Sequence, residues 1–203
     1  IKKMYKQYQL GWIEVITGCM FAGKTEELIK RIRVLEYAKQ KIYVFKPSLD
    51  NRYRSDEIAS HAGSHYQCYV LQNDLSPIKD IISNPNVDVV VIDEVQFFNE
   101  EIVSICEQLA NAKKRVIVAG LDTDFRGEPF PVVASLMAKA EFVTKLSAVC
   151  NQCGAPATRT QRLINGKPAH YHDPIILVGA KECYEARCRS CHCVIHDQEK
   201  TSV

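Results

Sequence analysis

Short apolar runs alternate along the chain with longer stretches in which apolar residues recur at helical spacing. Trp12 to Thr17, Ile42 to Phe45, Val87 to Ile92 and Val116 to Ala119 are rich in β-branched residues and predict buried strands. Leu28, Ile29, Ile32 and Leu35 share one helical face, with Lys30, Arg31 and Arg33 between them, and predict a helix beginning near Lys24. Leu75 to Ile82 and Glu101 to Ala112 predict two more. Strands that are apolar on both faces and linked by helices imply an α/β fold with a mostly parallel sheet. In such a sheet the binding edge is the one where the strands end.

After about Ala148 the helical periodicity stops, and Gly, Pro, Asn and His punctuate short β-like pieces such as His170 to Tyr171 and Pro174 to Val178. This texture predicts a domain boundary, with an α/β unit over 1–148, a smaller β-rich unit over 149–196 and a disordered tail over 197–203. Pro47 to Tyr66 is polar and reads as a long functional loop.

The chain of 203 residues is long enough for one ordinary domain with a small appendage. Hydrophobic residues make up 46%, charged residues 25%, and the formal net charge is +2, which argues against disorder and against a strongly basic nucleic-acid surface. No apolar run approaches a membrane span, and the first residues lack a secretory core, so the expected compartment is the cytoplasm. Five of the nine cysteines lie between Cys150 and Cys191 in paired spacing, which favours reduced thiolates on a metal over disulfides.

Gly18-Cys19-Met20-Phe21-Ala22-Gly23-Lys24-Thr25 fits the phosphate-loop pattern G-x-x-x-x-G-K-[ST] between a predicted strand and a predicted helix. The glycines let backbone N–H groups turn onto a phosphate, and the helix N-terminus adds positive potential. Lys24 would reach the outer phosphates of a nucleotide and Thr25 would ligate Mg2+. The apolar run ending in Asp93-Glu94 is the usual partner of such a loop. Asp93 is suited to hold magnesium, and Glu94 is the candidate catalytic base for an attacking hydroxyl. A turn preceding a helix capped by Asn99 is the plainer account of the same acids.

Cys150-x-x-Cys153 and Cys188-x-x-Cys191 form two knuckles suited to a structural Zn2+ held by four thiolates. The 34 residues between them imply a loop held at both ends by the metal. His192 and Cys193 crowd the second knuckle and are alternatives to Cys191, which the spacing favours. Cys106 reads as a small buried hydrophobe. Asp122, Asp124 and Arg126 would order a network near the phosphates, and Phe125 and Phe130 either wall a flat base or belong to the core.

Together these segments resemble the type II thymidine kinases over nearly the whole chain. The likeness rests on Gly18 to Thr25, Ile92 to Phe98, Asp122 to Phe130, and the cysteine pairs flanking Gly179-Ala180-Lys181-Glu182-Cys183-Tyr184. The resemblance implies a P-loop, RecA-like sheet with a small zinc-binding domain carrying a lid, or lasso, loop. It implies transfer of the γ-phosphoryl group of ATP to the 5'-hydroxyl of thymidine or deoxyuridine, with Glu94 as base. Gly18 to Thr25, Asp50, Arg52, Asp93, Glu94, Val95 and Gln96 would then face ATP. Met20, Phe97, Leu121, Phe125, Phe130, Thr160, Ile176 and Tyr184 would line the nucleoside pocket, Tyr184 from the covering loop. A homotetramer inhibited by thymidine triphosphate is also implied, with neither nucleic acid nor membrane as partner. The competing class is a P-loop ATPase whose zinc ribbon grips nucleic acid; sparse basic residues and missing base-stacking aromatics weigh against it.

Overall fold

A computed structural model describes residues 11–48, 57–59, 65–175 and 182–197. Asp50, Arg52, Ile176 and the Gly179 to Lys181 segment lie outside the described residues. The elements run in the order β1 (Trp12–Gly18), α1 (Lys24–Tyr37), β2 (Ile42–Pro47), β3 (Glu57–Ala59), β4 (His65–Gln67) and β5 (Tyr69–Leu71). Next come α2 (Ser76–Ile82), β6 (Val89–Ile92), a 3-10 turn (Val95–Phe97), α3 (Glu101–Asn111), β7 (Arg115–Gly120), α4 (Pro131–Lys139) and β8 (Phe142–Leu146). The C-terminal part holds β9 (Ala148–Val149), β10 (Pro156–Ala157), β11 (Arg159–Ile164), β12 (Lys167–Pro168) and β13 (Glu182–Arg187).

Six strands form one parallel sheet in the order β5-β2-β6-β7-β1-β8. Alternate side chains of its central strands feed two cores, because successive Cβ atoms point to opposite faces. Ile13, Val15, Val90, Ile92, Val116 and Val118 pack with α2, α3 and α4, where Ile78, Ile102, Ile105, Cys106 and Leu109 are buried. Ile16, Val89, Val91, Ile117 and Ala119 pack with Leu28, Ile29, Ile32 and Leu35 of α1. The strands therefore read as continuous apolar runs, and Cys106 is a core residue as its type suggested.

Three expectations need correction. Pro47 to Tyr66 is not loop throughout, since β3 and β4 pair as an antiparallel hairpin and bury Ile58 against the α1 core. His170 to Tyr171 is no strand: His170 makes a single bridge to Ile195, and Pro174 and Ile175 are non-strand, with 176–178 outside the described residues. The stretch between the cysteine pairs is not one loop, because β11 pairs with both β12 and β13 in a three-stranded antiparallel sheet. That sheet places Tyr184 on a strand opposite Arg162 rather than in a covering loop.

One polar cluster lies inside the α/β layer. Glu14 is buried on β1, pairing with Arg115 of β7 at 2.5 Å and Arg31 of α1 at 2.9 Å and accepting from the Trp12 indole. Burial opposes its ionisation, but the hydrogen bonds and charges around it win and hold the carboxyl below its ordinary 4.5. A depressed folded pKa gives stability that is complete above about pH 4.5 and lost as pH falls through the lower folded value. Glu14→Gln should therefore cost about 2 kcal/mol at neutral pH by removing the carboxylate that Arg115 and Arg31 share, leaving Arg31 paired with Glu27. Thermal melts should show the gap between wild type and variant closing below pH 4.5; a gap independent of pH would refute this account.

Candidate functional site

The parallel register sets Thr17 beside Gly120 and Ile92 beside Val118, so the loops after β1, β6 and β7 meet at one edge. The loop after β1 turns sharply into α1. Gly18 has φ 145°, and a Cβ there would come within 2.5 Å of the Leu146 carbonyl. Gly23 has φ 83°, and its missing Cβ faces open space, leaving the turn's backbone accessible. Acidic Glu26 and Glu27 occupy the first turn of α1, where the helix dipole favours them. The Lys24 ammonium donates to the Cys19 carbonyl at 2.8 Å, and burial pulls it below its usual pKa against the pull of Glu94 and Asp93.

Asp93 and Glu94 follow β6 directly. The Asp93 carboxylate lies 3.4 Å from the Thr25 hydroxyl. Its own burial, and then the Glu94 charge beside it, push it up to about 7. Glu94 takes a left-handed backbone, φ 51°, an arrangement costing a non-glycine residue about 1 kcal/mol. The side chain of Gln96 donates to Glu94 Oε2 and accepts from the Leu121 N–H, so it ties the acid to the exit of β7. Val95 is fully buried in the larger core. Asn99 accepts from the Glu101 N–H at the start of α3, so the capping role coexists with the acid pair.

A cavity of about 510 Å³ opens beside these groups, a size that suits a small organic ligand. Lys24, Thr25 and Glu94 line its polar part. Met20, Phe97, Leu121, Phe125, Phe130, Thr160 and Tyr184 line the rest, with the Phe97 and Phe130 rings edge to face. Thr123 and Ile175 also line it without having been singled out in the sequence, where charged neighbours drew attention away from Thr123. The Thr123 hydroxyl is buried with no hydrogen-bond partner among the described residues.

The loop after β7 is built around Asp124. Its carboxylate accepts from the N–H groups of Arg126 and Glu128 and from the Arg126 guanidinium, closing a tight turn that presents Phe125 to the cavity. Asp122 accepts from the Thr123 N–H and lies 2.8 Å from the Lys145 ammonium.

The C-terminal strands close against the phosphate loop. The Met20 N–H donates to Thr160 Oγ1 at 3.1 Å, and the Cys19 thiol to the Ala157 carbonyl at 3.4 Å. Cys19 is buried with Cys150, Ala157 and Ala186, and this burial raises its pKa, which leaves an inert thiol. The sulfurs of Cys150, Cys153, Cys188 and Cys191 all lie within 4.8 Å of one another. Desolvation works against ionising Cys150, but the N–H groups of Cys188, Cys153 and Gln152 outweigh it and lower the thiol to about 6. His192 and Cys193 are engaged elsewhere, His192 with the Phe125 carbonyl and Cys193 through its backbone with the Gln161 side chain. Cys191 is the residue of this stretch whose sulfur clusters with those of Cys150, Cys153 and Cys188.

No helix among the described residues is long and apolar enough to cross a membrane. The family model described as thymidine kinase matches residues 11–192, which takes in the phosphate loop, the acid pair, the Asp124 turn and both cysteine pairs. A match over that much of the chain, on a site of this construction, makes it a member of the thymidine kinase family, the ATP:thymidine 5'-phosphotransferases.

Proposed function

We propose that Glu94 is the general base of this kinase, taking the proton of the nucleoside 5'-hydroxyl as that oxygen bonds to the γ-phosphorus of ATP and the bond to ADP breaks. The observation that carries the reading is the shared cavity, which Glu94 lines together with Lys24, Thr25 and the aromatic residues Phe97, Phe125 and Phe130. Gly18 to Thr25 cradle the phosphates. Gln96 acts through Glu94, which its amide holds, and Val95 acts by packing beneath the pair. Asp50 and Arg52 join the ATP side by resemblance.

Thr25 and Asp93 would hold magnesium. Their oxygens are 3.4 Å apart, close to the roughly 3 Å expected of adjacent ligands around an octahedral ion. The ion would neutralise phosphate charge and offset the burial and repulsion that raise the Asp93 pKa. Met20, Phe97, Leu121, Phe125, Phe130, Thr160 and Tyr184, with Ile176, are assigned to thymidine or deoxyuridine. Apolar walls accept the base's flat faces and its methyl group, and pairing of its polar edge is left to backbone groups in the segment before β13.

Four thiolates within 4.8 Å fit zinc, around which sulfurs at about 2.3 Å stand about 3.8 Å apart. We divide the chain into a phosphate-binding unit, 1–148, a zinc and lid unit, 149–196, and a tail, 197–203, and assign it to the cytoplasm. Exposed apolar residues support the homotetramer: Val34 and Tyr37 on α1 are 62% and 90% exposed, and Phe142 and Val143 project from the edge strand β8. Inhibition by thymidine triphosphate is proposed from the resemblance, its base in the cavity and its phosphates in the cradle.

The purified protein with ATP, magnesium and thymidine should give thymidine monophosphate and ADP in equal amounts. Glu94→Gln should lower kcat at least about 100-fold with ATP binding retained. ATP turnover indifferent to thymidine, or an unchanged kcat in the variant, would overturn the assignment. Elemental analysis should find one zinc per chain, lost in Cys153→Ser or Cys188→Ser together with thermal stability; a metal-free active protein would refute it. Sedimentation should give four times the chain mass, falling when Tyr37 and Phe142 are replaced by glutamate, and a monomeric wild type would exclude the tetramer.

A further inference from the structure

We infer that His192 is a positioning residue for the nucleoside cavity, fixing the aromatic wall at Phe125 from the second cysteine knuckle. The inference rests on reading the cavity as the nucleoside site. His192 Nε2 lies 2.8 Å from the Phe125 carbonyl oxygen. A carbonyl only accepts, so Nε2 carries the proton and the ring donates. The histidine is itself held, because its backbone N–H and that of Cys191 both donate to the Cys188 carbonyl, the turn that closes the second knuckle. The imidazole thus reads out the position of the cysteine turn and passes it to a residue of the α/β unit.

Phe125 belongs to a loop of the α/β layer that the C-terminal strands grip at several points. It is 4% exposed, and its ring lies under the fully buried Arg162 guanidinium at 5.1 Å. Arg159 of β11 reaches the Gly127 carbonyl at 3.5 Å, and a Cβ on Gly127 would meet the Arg159 guanidinium at 3.2 Å and the His192 ring at 3.8 Å. The Asp124 turn fixes the shape of this loop but not where the loop stands relative to the cavity. His192 supplies that placement through its one well-formed hydrogen bond to the turn's backbone. Lys24 and Thr25 are held by other contacts, to the Cys19 carbonyl and the Asp93 carboxylate, so the consequence falls on the nucleoside side.

The test is equilibrium titration of thymidine and, separately, of a non-hydrolysable ATP analogue into the zinc-loaded wild type, His192→Ala and His192→Gln. In His192→Ala the thymidine Kd and KM should rise about tenfold, the cost of leaving the Phe125 carbonyl without its donor, while ATP-analogue affinity stays within about twofold. Zinc content should remain one per chain. In His192→Gln, whose side-chain amide can donate to the same carbonyl, thymidine affinity should return to within about threefold. Should His192→Ala fail to fold, His192→Asn, too short to reach, carries the same comparison with glutamine. Unchanged thymidine affinity, or loss of zinc with equal weakening of both ligands, would overturn the proposal. A wild type that binds the ATP analogue but not thymidine would instead overturn the reading of the cavity.

Discussion

The phosphate loop is held as a wedge between two sheets, and this contact organises the rest of the site. On one side the loop continues β1, whose parallel pairing with β7 and β8 fixes where it leaves the sheet. On the other, its Met20 N–H and Cys19 thiol bond to Thr160 and Ala157 of the C-terminal strands. A loop with Gly18 and Gly23 at positive φ gains no stability from regular pairing, so its shape depends on these outside partners. The cysteine cluster packs directly behind Cys19. The four-cysteine cluster and the phosphate loop are thus mechanically connected, although they belong to different parts of the chain.

The electrostatics of the wedge are arranged for a charged ligand. Lys24 is half-buried and spends its ammonium on a carbonyl of its own loop, an interaction worth less than a phosphate contact. Asp93 is buried beside Glu94 and pushed up to about 7. Each group is in an unfavourable state alone, and a nucleotide with its cation would relieve both at once. That difference favours binding of the charged pair over either component. The left-handed backbone at Glu94 brings its side chain to Gln96 and the cavity.

Most of the parallel sheet was legible because its strands are buried on both faces and leave uninterrupted β-branched runs. β8 was not: Phe142, Val143 and Lys145 mix apolar and charged residues on a half-exposed edge. α4 escaped for a related reason, since Pro131 begins it and only nine residues follow the aromatic loop. The phosphate loop, acid pair and cysteine pairs were readable because their chemistry demands fixed residues at fixed local spacing. Thr123, Ile175 and the contact from His192 to Phe125 were not, because they depend on residues brought together across 67 or more positions or on backbone atoms that carry no residue signature. His192 was visible only as a possible metal ligand, the chemistry its neighbours suggest.

The division of labour between the two units follows from what each can supply. A parallel sheet edge offers N–H groups, a lysine and carboxylates, all of which recognise phosphate and cation but are indifferent to the identity of a base. Discrimination needs walls of defined separation, and those come from loops, the least rigid parts of such a fold. Phe125 belongs to the loop after β7, and Tyr184 to β13, so the cavity is bounded by elements from both units. A loop wall is useful for selection only if it cannot relax around the wrong ligand. The Asp124 turn removes its internal freedom, and the contacts of Arg159, Arg162 and His192 remove much of its freedom as a body. The C-terminal strands therefore bear on selectivity even where they touch no ligand, and a metal held by the four cysteines at their ends would act on specificity through the rigidity it conferred.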